Sequence, residues 1–504
     1  MDSEKVVRAM ARWWQTVSQE DGDSRNPITY DLLQEGVSKT SKTRQYVAAM
    51  IICLGAVAAG TALSWTAPVF DQISAGNVTT NETSSSSNIS TSTSTENDIR
   101  LTESQKTWVS SMLPIGALLG SLPSGYIADT IGRRYTAMVM DVPFILAWIS
   151  ISFANSVGWL YLGRFLIGIS TGSFCVVAPM YISEIAETSI RGSLGTLFQL
   201  LLTIGILFIY VVGSLVTWRT LSMLCLAIPI FLLIGLLFLP ETPVYLLKRG
   251  KRSEANRALK WLWGDYCNTN SAIQVIQNDL DQTGADASIM DLFSNRASRK
   301  GMIISVLLMF FQQFSGINAV IFFMNDIFKS SNSTLDASTC TIIVGVVQVI
   351  MTLCSSLLIE KAGRKILLLF SSTVMTVCLV MLGAFNTLQR HTEISKSIGW
   401  LPLACVVLFI VSFSVGYGPI PWMMMGELFM PDVKGTAVSL SVMANWICVF
   451  LVTWLFGLLK AGGLDVPFWF FSGWMAVATA YVAIALQETK GKSVSQIQNW
   501  LSGR

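Results

Sequence analysis

Twelve stretches almost free of charge govern what this chain can fold into. They run over about 46–70, 107–128, 135–155, 159–183, 192–217, 220–239, 301–325, 337–359, 366–386, 399–425, 435–459 and 466–486. Inside them the only acidic or basic side chains are Asp141 and Arg164. A helix needs about 20 mostly apolar residues to cross a bilayer, and a charge at its centre costs roughly 2.5–3.5 kcal/mol on insertion scales. Near-absence of charge is what twelve crossings require. The expected fold class is all-α: a membrane protein of twelve transmembrane helices. Only 13% of the 504 residues are charged, where a soluble domain carries roughly 25%. Residues 1–45 are polar and mixed in charge, so the start does not read as a secretory signal.

An even number of crossings puts both ends on one side of the lipid bilayer. With both in the cytoplasm, 26 of the 34 lysines and arginines fall in inside segments, as the positive-inside rule demands. Four glycosylation sequons, at Asn77, Asn81, Asn88 and Asn332, then all lie outside, where glycan can be added. The first three share a Ser/Thr-rich loop, 71–106, in which chance occurrence competes with use. The net charge of +3 gives no sign of nucleic acid, and the nine cysteines form no disulfide or zinc pattern.

The two halves repeat one another. Asp129-x-x-Gly132-Arg133-Arg134 after span 2 returns as Glu360-x-x-Gly363-Arg364-Lys365 after span 8. Glu184 with Arg191-Gly192 returns as Glu427 with Lys434-Gly435. Pro240-Glu241-Thr242 returns as Gln487-Glu488-Thr489. Three pairs in one order mean two six-helix bundles in parallel, 46–239 and 301–486, a layout that places a site between the halves. Residues 240–300 read as a polar cytoplasmic linker of short helices, and 1–45 and 487–504 as cytoplasmic tails.

These motifs resemble the sugar porter branch of the major facilitator superfamily, from about Tyr46 to Lys492. The matching residues are Gly125 to Arg134, Gly163-Arg164-Phe165, Pro179 to Glu184, Pro240-Glu-Thr-Pro243, Gln312-Gln313-Phe-Ser-Gly316-Ile-Asn318, Gly418-Pro-Ile-Pro421-Trp422 and Glu488-Thr-Lys-Gly491. Within that branch, Gly60-Thr-Ala-Leu-Ser-Trp65-Thr66 and Pro240-Glu-Thr-Pro resemble the facilitated trehalose transporters of insects and their hexose-carrying relatives. The resemblance implies a plasma-membrane carrier, monomeric, with a small neutral sugar as its substrate and no cofactor or metal.

Sugar hydroxyls both donate and accept, and so do amides; a ring face suits an aromatic surface. Amides cluster in the spans: Gln199, Gln312, Gln313, Asn318, Gln348 and Asn445, with indoles at Trp422 and Trp446. The resemblance implies that all eight line a central cavity; amides bonding across helices for structure alone is the competing reading. Breakers stand beside them, Ser315-Gly316 in span 7 and Gly416, Gly418, Pro419 and Pro421 in span 10. They mark gating segments, or kinks that serve packing.

Charges at the inner ends of the spans read as a latch. Asp129, Arg133, Arg134, Glu184, Arg191 and Glu241 can pair in the first half, and Glu360, Arg364, Lys365, Glu427, Lys434 and Glu488 in the second. The chain departs from the family pattern at four positions. Val244 stands where an arginine is usual, Phe323 where a tyrosine is common, Gln348 where asparagine is more usual, and Gln487 where the terminal motif has proline. Proton-driven sugar porters place an acid in span 1, and 46–70 has none. Asp141 in span 3 reads as a partner for a nearby basic or amide group. Facilitated diffusion is therefore expected, with a proton symporter and a non-transporting sugar sensor as alternatives. An enzyme is disfavoured: the one histidine, His391, falls in an expected external loop, without a catalytic set around it.

Overall fold

The computed structural model describes residues 42–75, 99–187, 190–264, 269–282, 295–330, 336–391, 399–429, 431–490, 492 and 494–502. The four sequon asparagines lie outside the described residues, as do the side chains of Arg191, Glu360, Glu427 and Lys434. Twelve helices are long and apolar enough to cross a membrane, and among the described residues no strand occurs.

Span 1 is three consecutive helices, α1 (Lys42–Ile52), α2 (Leu54–Ser64) and α3 (Thr66–Ala75). Spans 2 to 6 are α4 (Glu103–Ile131), α5 (Arg133–Ser152), α6 (Val157–Ile185), α7 (Arg191–Gly213) and α8 (Trp218–Phe238). The linker forms α9 (Pro243–Lys248), α10 (Arg252–Trp263) and α11 (Thr269–Gln282). Span 7 is broken into α12 (Arg296–Phe314), α13 (Ile317–Phe322) and α14 (Met324–Ser330). Spans 8 and 9 are α15 (Ala337–Ala362) and α16 (Arg364–His391). Span 10 is broken into α17 (Leu401–Val415) and α18 (Ile420–Leu428). Spans 11 and 12 are α19 (Pro431–Lys460) and α20 (Asp465–Ala485), followed by a short α21 (Val494–Ser502).

Three differences from the sequence reading stand out. Span 1 continues as helix past residue 70, so Asp71 lies within it, and the expectation of an acid-free first span does not hold. The first loop is shorter than 71–106, because helix resumes at Glu103 through a capping box between Thr102 and Gln105. His391 closes α16 instead of lying in a loop.

Spans 2 and 4 pack along a glycine seam. A Cβ on Gly116 or Gly120 would stand 2.1 Å from the carbonyl oxygen of Phe165 or Ile169. One on Gly168 or Gly172 would stand 2.1 Å from that of Leu113 or Ala117. Lipid tails are as apolar as leucine, so close backbone contact rather than hydrophobic burial holds such helices together.

The two halves touch along spans 2 and 11, from Thr107 beside Gly457 at the end remote from the linker to Gly125 near Ser439 at the other, and further contacts gather at the remote end. There Thr66 Oγ1 donates to the Phe322 carbonyl at 3.1 Å, and Lys460 Nζ lies 3.7 Å from Glu103. Phe323 stacks on Phe456 at 5.0 Å and leans on Phe70 at 6.1 Å, joining span 1 to spans 7 and 11. Spans 5 and 8 also meet, at Leu207, Tyr210 and Gly345.

Gly168→Leu drives a side chain into the span 2 backbone and is expected to cost about 3 kcal/mol. Gly195, inside α7, has open space around its Cβ position, so Gly195→Ala is the control that costs no stability and gains up to about 1 kcal/mol from helix propensity. Thermal unfolding of the purified protein in detergent measures both.

Candidate functional site

Breaks in spans 7 and 10 bring the amides together. Gly316 takes φ +84°, a left-handed conformation that glycine adopts without steric cost, and α12 ends there. Ser315 Oγ donates to the Gln312 carbonyl at 2.6 Å and closes the turn. Beside this break, Gln312 Nε2 donates to the carbonyls of Tyr417 at 2.6 Å and Gly418 at 3.0 Å, within the break of span 10. Gln312 Oε1 accepts from Asn445 Nδ2 at 3.1 Å and from Gln313 Nε2 at 3.4 Å. Asn318 Nδ2 donates to Gln313 Oε1. Four of the eight expected contact residues thus form one hydrogen-bonded chain across spans 7, 10 and 11.

Each member of the chain is buried, from 2% exposure at Asn445 to 8% at Asn318. Their bonding differs. Gln312 has committed both amide hydrogens and both lone pairs of its oxygen, so in this conformation it is saturated. Gln313 keeps one amide hydrogen, and Asn318 keeps one hydrogen and its oxygen. The other four residues stand apart from the chain. Trp446, next to Asn445, is 5% exposed, and its indole N–H has no partner among the described residues. Trp422 is half-buried on α18. Gln348 is buried on α15 and Gln199 half-buried on α7, the two spans that meet between the halves.

The charged motifs gather at the linker end. Arg133 Nη2 lies 2.9 Å from both Asp129 Oδ1 and Glu184 Oε1, and Thr242 Oγ1 donates to the other oxygen of Glu184. Glu241 and Glu488 do something the sequence reading missed. Glu241 accepts the backbone N–H groups of Arg133 and Arg134 at 2.9 and 3.1 Å. Glu488 accepts those of Arg364 and Lys365, both at 2.9 Å. Each caps the first turn of a span, α5 or α16, where free N–H groups and the helix dipole attract a carboxylate. The basic side chains turn elsewhere: Arg134 donates to the Leu236 and Leu237 carbonyls, and Lys365 to Ala483. Glu241 and Glu488 thus serve backbone N–H groups, and Arg134 and Lys365 serve backbone carbonyls.

Burial pushes the Glu241 carboxyl above the ordinary carboxylate range, against the pull of the Thr242, Arg134 and Arg133 N–H groups. Burial also acts upward on Glu488, but the N–H groups of Lys490, Arg364, Lys365 and Thr489 outweigh it and hold the carboxyl below its usual value. Where Val244 withholds a cation, Arg249 supplies one. Its Nη2 donates to the Asp129 and Thr130 carbonyls, and it shares the Tyr245 ring with Arg133.

Two charged residues inside the first half follow different rules. Arg164 is fully buried, donates to the Ala62 and Val109 carbonyls and lies 5.8 Å from the centre of the Trp65 ring. Asp141 is fully buried too, yet neither carboxylate oxygen has a partner among the described residues, contrary to the pairing expected for it.

Glu488 has a folded-state pKa below its ordinary 4.5. Its contribution to stability is fully present above that pH and is lost as pH falls through the folded value. The gap in Tm between wild type and Glu488→Gln, present at neutral pH, is expected to close on acidification below 4.5.

A family model described as "Sugar (and other) transporter" matches residues 49–501. The "Facilitated trehalose transporter Tret1-2 homolog" of Drosophila simulans is 36% identical over 481 residues, covering 95% of each chain. The "Facilitated trehalose transporter Tret1" of Anopheles gambiae is 34% identical and covers 100% of this chain, which spans 63% of that relative's length. Among solved structures, a partially occluded inward-open conformation of the E. coli xylose transporter XylE superposes with a TM-score of 0.73 at 23% identity. It covers 90% of this chain and 100% of that one, a likeness of fold. With the family model spanning nearly the whole chain and two bundles of six spans, the protein belongs to the sugar transporter family and is a multi-pass membrane protein of the major facilitator fold.

Proposed function

We propose that the protein carries a neutral sugar, trehalose or a hexose such as glucose, across the plasma membrane by facilitated diffusion. The observation that carries the reading is the amide chain at the paired breaks of spans 7 and 10, in a chain of this family. Gln313 and Asn318 offer spare donors and an acceptor, and Trp446 on span 11 offers an unpartnered N–H. Trp422 supplies ring surface. Gln199 and Gln348 complete the contact set from the two spans that join the halves. The relatives named as facilitated trehalose transporters support the substrate class.

With the linker and both termini in the cytoplasm, the end that carries the ring stack and the Glu103–Lys460 pair faces outward. Alternating access then requires Thr66, Phe323 and the Glu103–Lys460 pair to part as the two bundles rock. Asp129, Arg133 and Glu184, with Glu241 and its counterpart Glu488, brace the inner ends of the spans. The sequons would face outside, and the carrier would act as a monomer.

Purified protein in liposomes tests the proposal with labelled trehalose and glucose. Uptake should saturate, equilibrate and persist when a pH gradient is collapsed. Binding without flux would support a sensor instead, and flux that stops without the gradient would implicate Asp71 or Asp141 in proton coupling. Gln313→Ala removes one or two hydrogen bonds, each worth about 1 kcal/mol net, so flux at low sugar should fall roughly tenfold.

A further inference from the structure

Where spans 2 and 11 come together at the end remote from the linker, one carboxylate meets two ammonium groups. Glu103 Oε1 lies 2.8 Å from Lys106 Nζ, one turn on in α4. Glu103 Oε2 lies 3.7 Å from Lys460 Nζ on α19, across the join. Gly457 makes this approach possible: a Cβ there would stand 2.3 Å from Thr107 Oγ1. Thr107 in turn donates to the Glu103 carbonyl at 3.1 Å, so the close contact and the charges share one turn of α4.

Each charge also has support within its own helix. Glu103 opens α4 behind the Thr102 cap, where free N–H groups and the helix dipole favour a carboxylate. Lys460 stands in the last turn of α19, where free carbonyls favour a cation. Parting the halves therefore strands neither charge. The Lys106 side chain is only 10% exposed and its bond is short, whereas the pair across the join is longer and its carboxylate side chain is 72% exposed. A pair of that kind is weak. Two ammonium groups around one carboxylate also repel each other, so Lys106 works against the tie to Lys460.

We propose that Glu103 is a positioning residue that acts as a two-position switch at the join. With the halves together its carboxylate serves Lys106 and Lys460; when they part it stays with Lys106 alone. Lys106 sets how readily this end opens. It gives Glu103 a partner in the open form and keeps the tie to Lys460 loose in the closed one. The place of the switch in moving solute rests on the transport reading, but the switch itself needs no solute.

Hydrogen exchange of the full-length protein in nanodiscs, without sugar, tests this. It is read at α3 and α13, which meet at the join and carry neither lysine. Lys460→Met removes the tie between the halves, and exchange there should quicken about threefold. Lys106→Met removes the partner within α4 and the repulsion, and exchange should slow about threefold. In a Glu103→Gln background the effect of Lys460→Met should vanish. Exchange that quickens in both single variants, or changes in neither, would overturn the switch, as would a Lys460→Met effect that persists without Glu103. If Lys106→Met does not accumulate folded, Lys106→Gln replaces it under the same criteria.

In liposomes, Lys106→Met should lower turnover about threefold and Lys460→Met should not lower it. Equal losses in the two would overturn the switch. Wild-type vesicles without flux would sink the transport reading, and the exchange data would still decide the switch.

Discussion

Lipid offers no hydrogen bonds, so each backbone N–H and carbonyl at membrane depth must find a partner within the protein. That requirement organises this molecule. A helix satisfies it by default, and wherever a helix stops, a side chain must take over. The stops in spans 7 and 10 are bridged by Gln312 and Ser315. Arg164 serves carbonyls of spans 1 and 2 from span 4. At the linker end, Glu241 and Glu488 receive the N–H groups that begin spans 3 and 9. Polar side chains that look like ligands in the sequence are thus partly committed to backbone before any solute arrives.

The repeat in the chain becomes a repeat of chemistry. Gly132 and Gly363, at φ +103° and +85°, turn the chain sharply between spans 2 and 3 and between spans 8 and 9. Each turn presents fresh helix N–H groups to a glutamate arriving from the end of the sixth span of its bundle. The pairing survives even though Pro240 in the first half is matched by Gln487 in the second. Arg249 repeats the lesson for Val244: a cation reaches the end of span 2 from a different position in the linker.

Much of this was legible in the sequence. The count of spans followed from the cost of charge in lipid, and the two-bundle arrangement from the spacing of three motif pairs. The breakers of spans 7 and 10 were visible as Ser315-Gly316 and the run from Gly416 to Pro421. What a sequence conveys about a charge is its sign and place, not the atom it bonds. Glu241 and Arg134 therefore read as members of one set of pairing charges, when each serves backbone. The seam of Gly116, Gly120, Gly168 and Gly172 was present as two spacings of four, but glycine is common in membrane helices, and only the geometry shows which ones touch. Asp71 was missed because hydropathy fades before the helix does. The saturation of Gln312 depends on carbonyls left open at the break of another span, a relation that no local pattern encodes.

Phe323 replaces a common tyrosine at the join between the halves, and the change alters the character of that join. Phe70, Phe323 and Phe456 are each at most 4% exposed, three rings in contact without a hydroxyl among them. A barrier built this way repels water and ions by dryness instead of by charge, so neither salt nor proton concentration loosens this layer. Its cohesion weakens on cooling, as apolar association does near room temperature. Low temperature would then ease the parting of the rings while it slows every other step of the cycle.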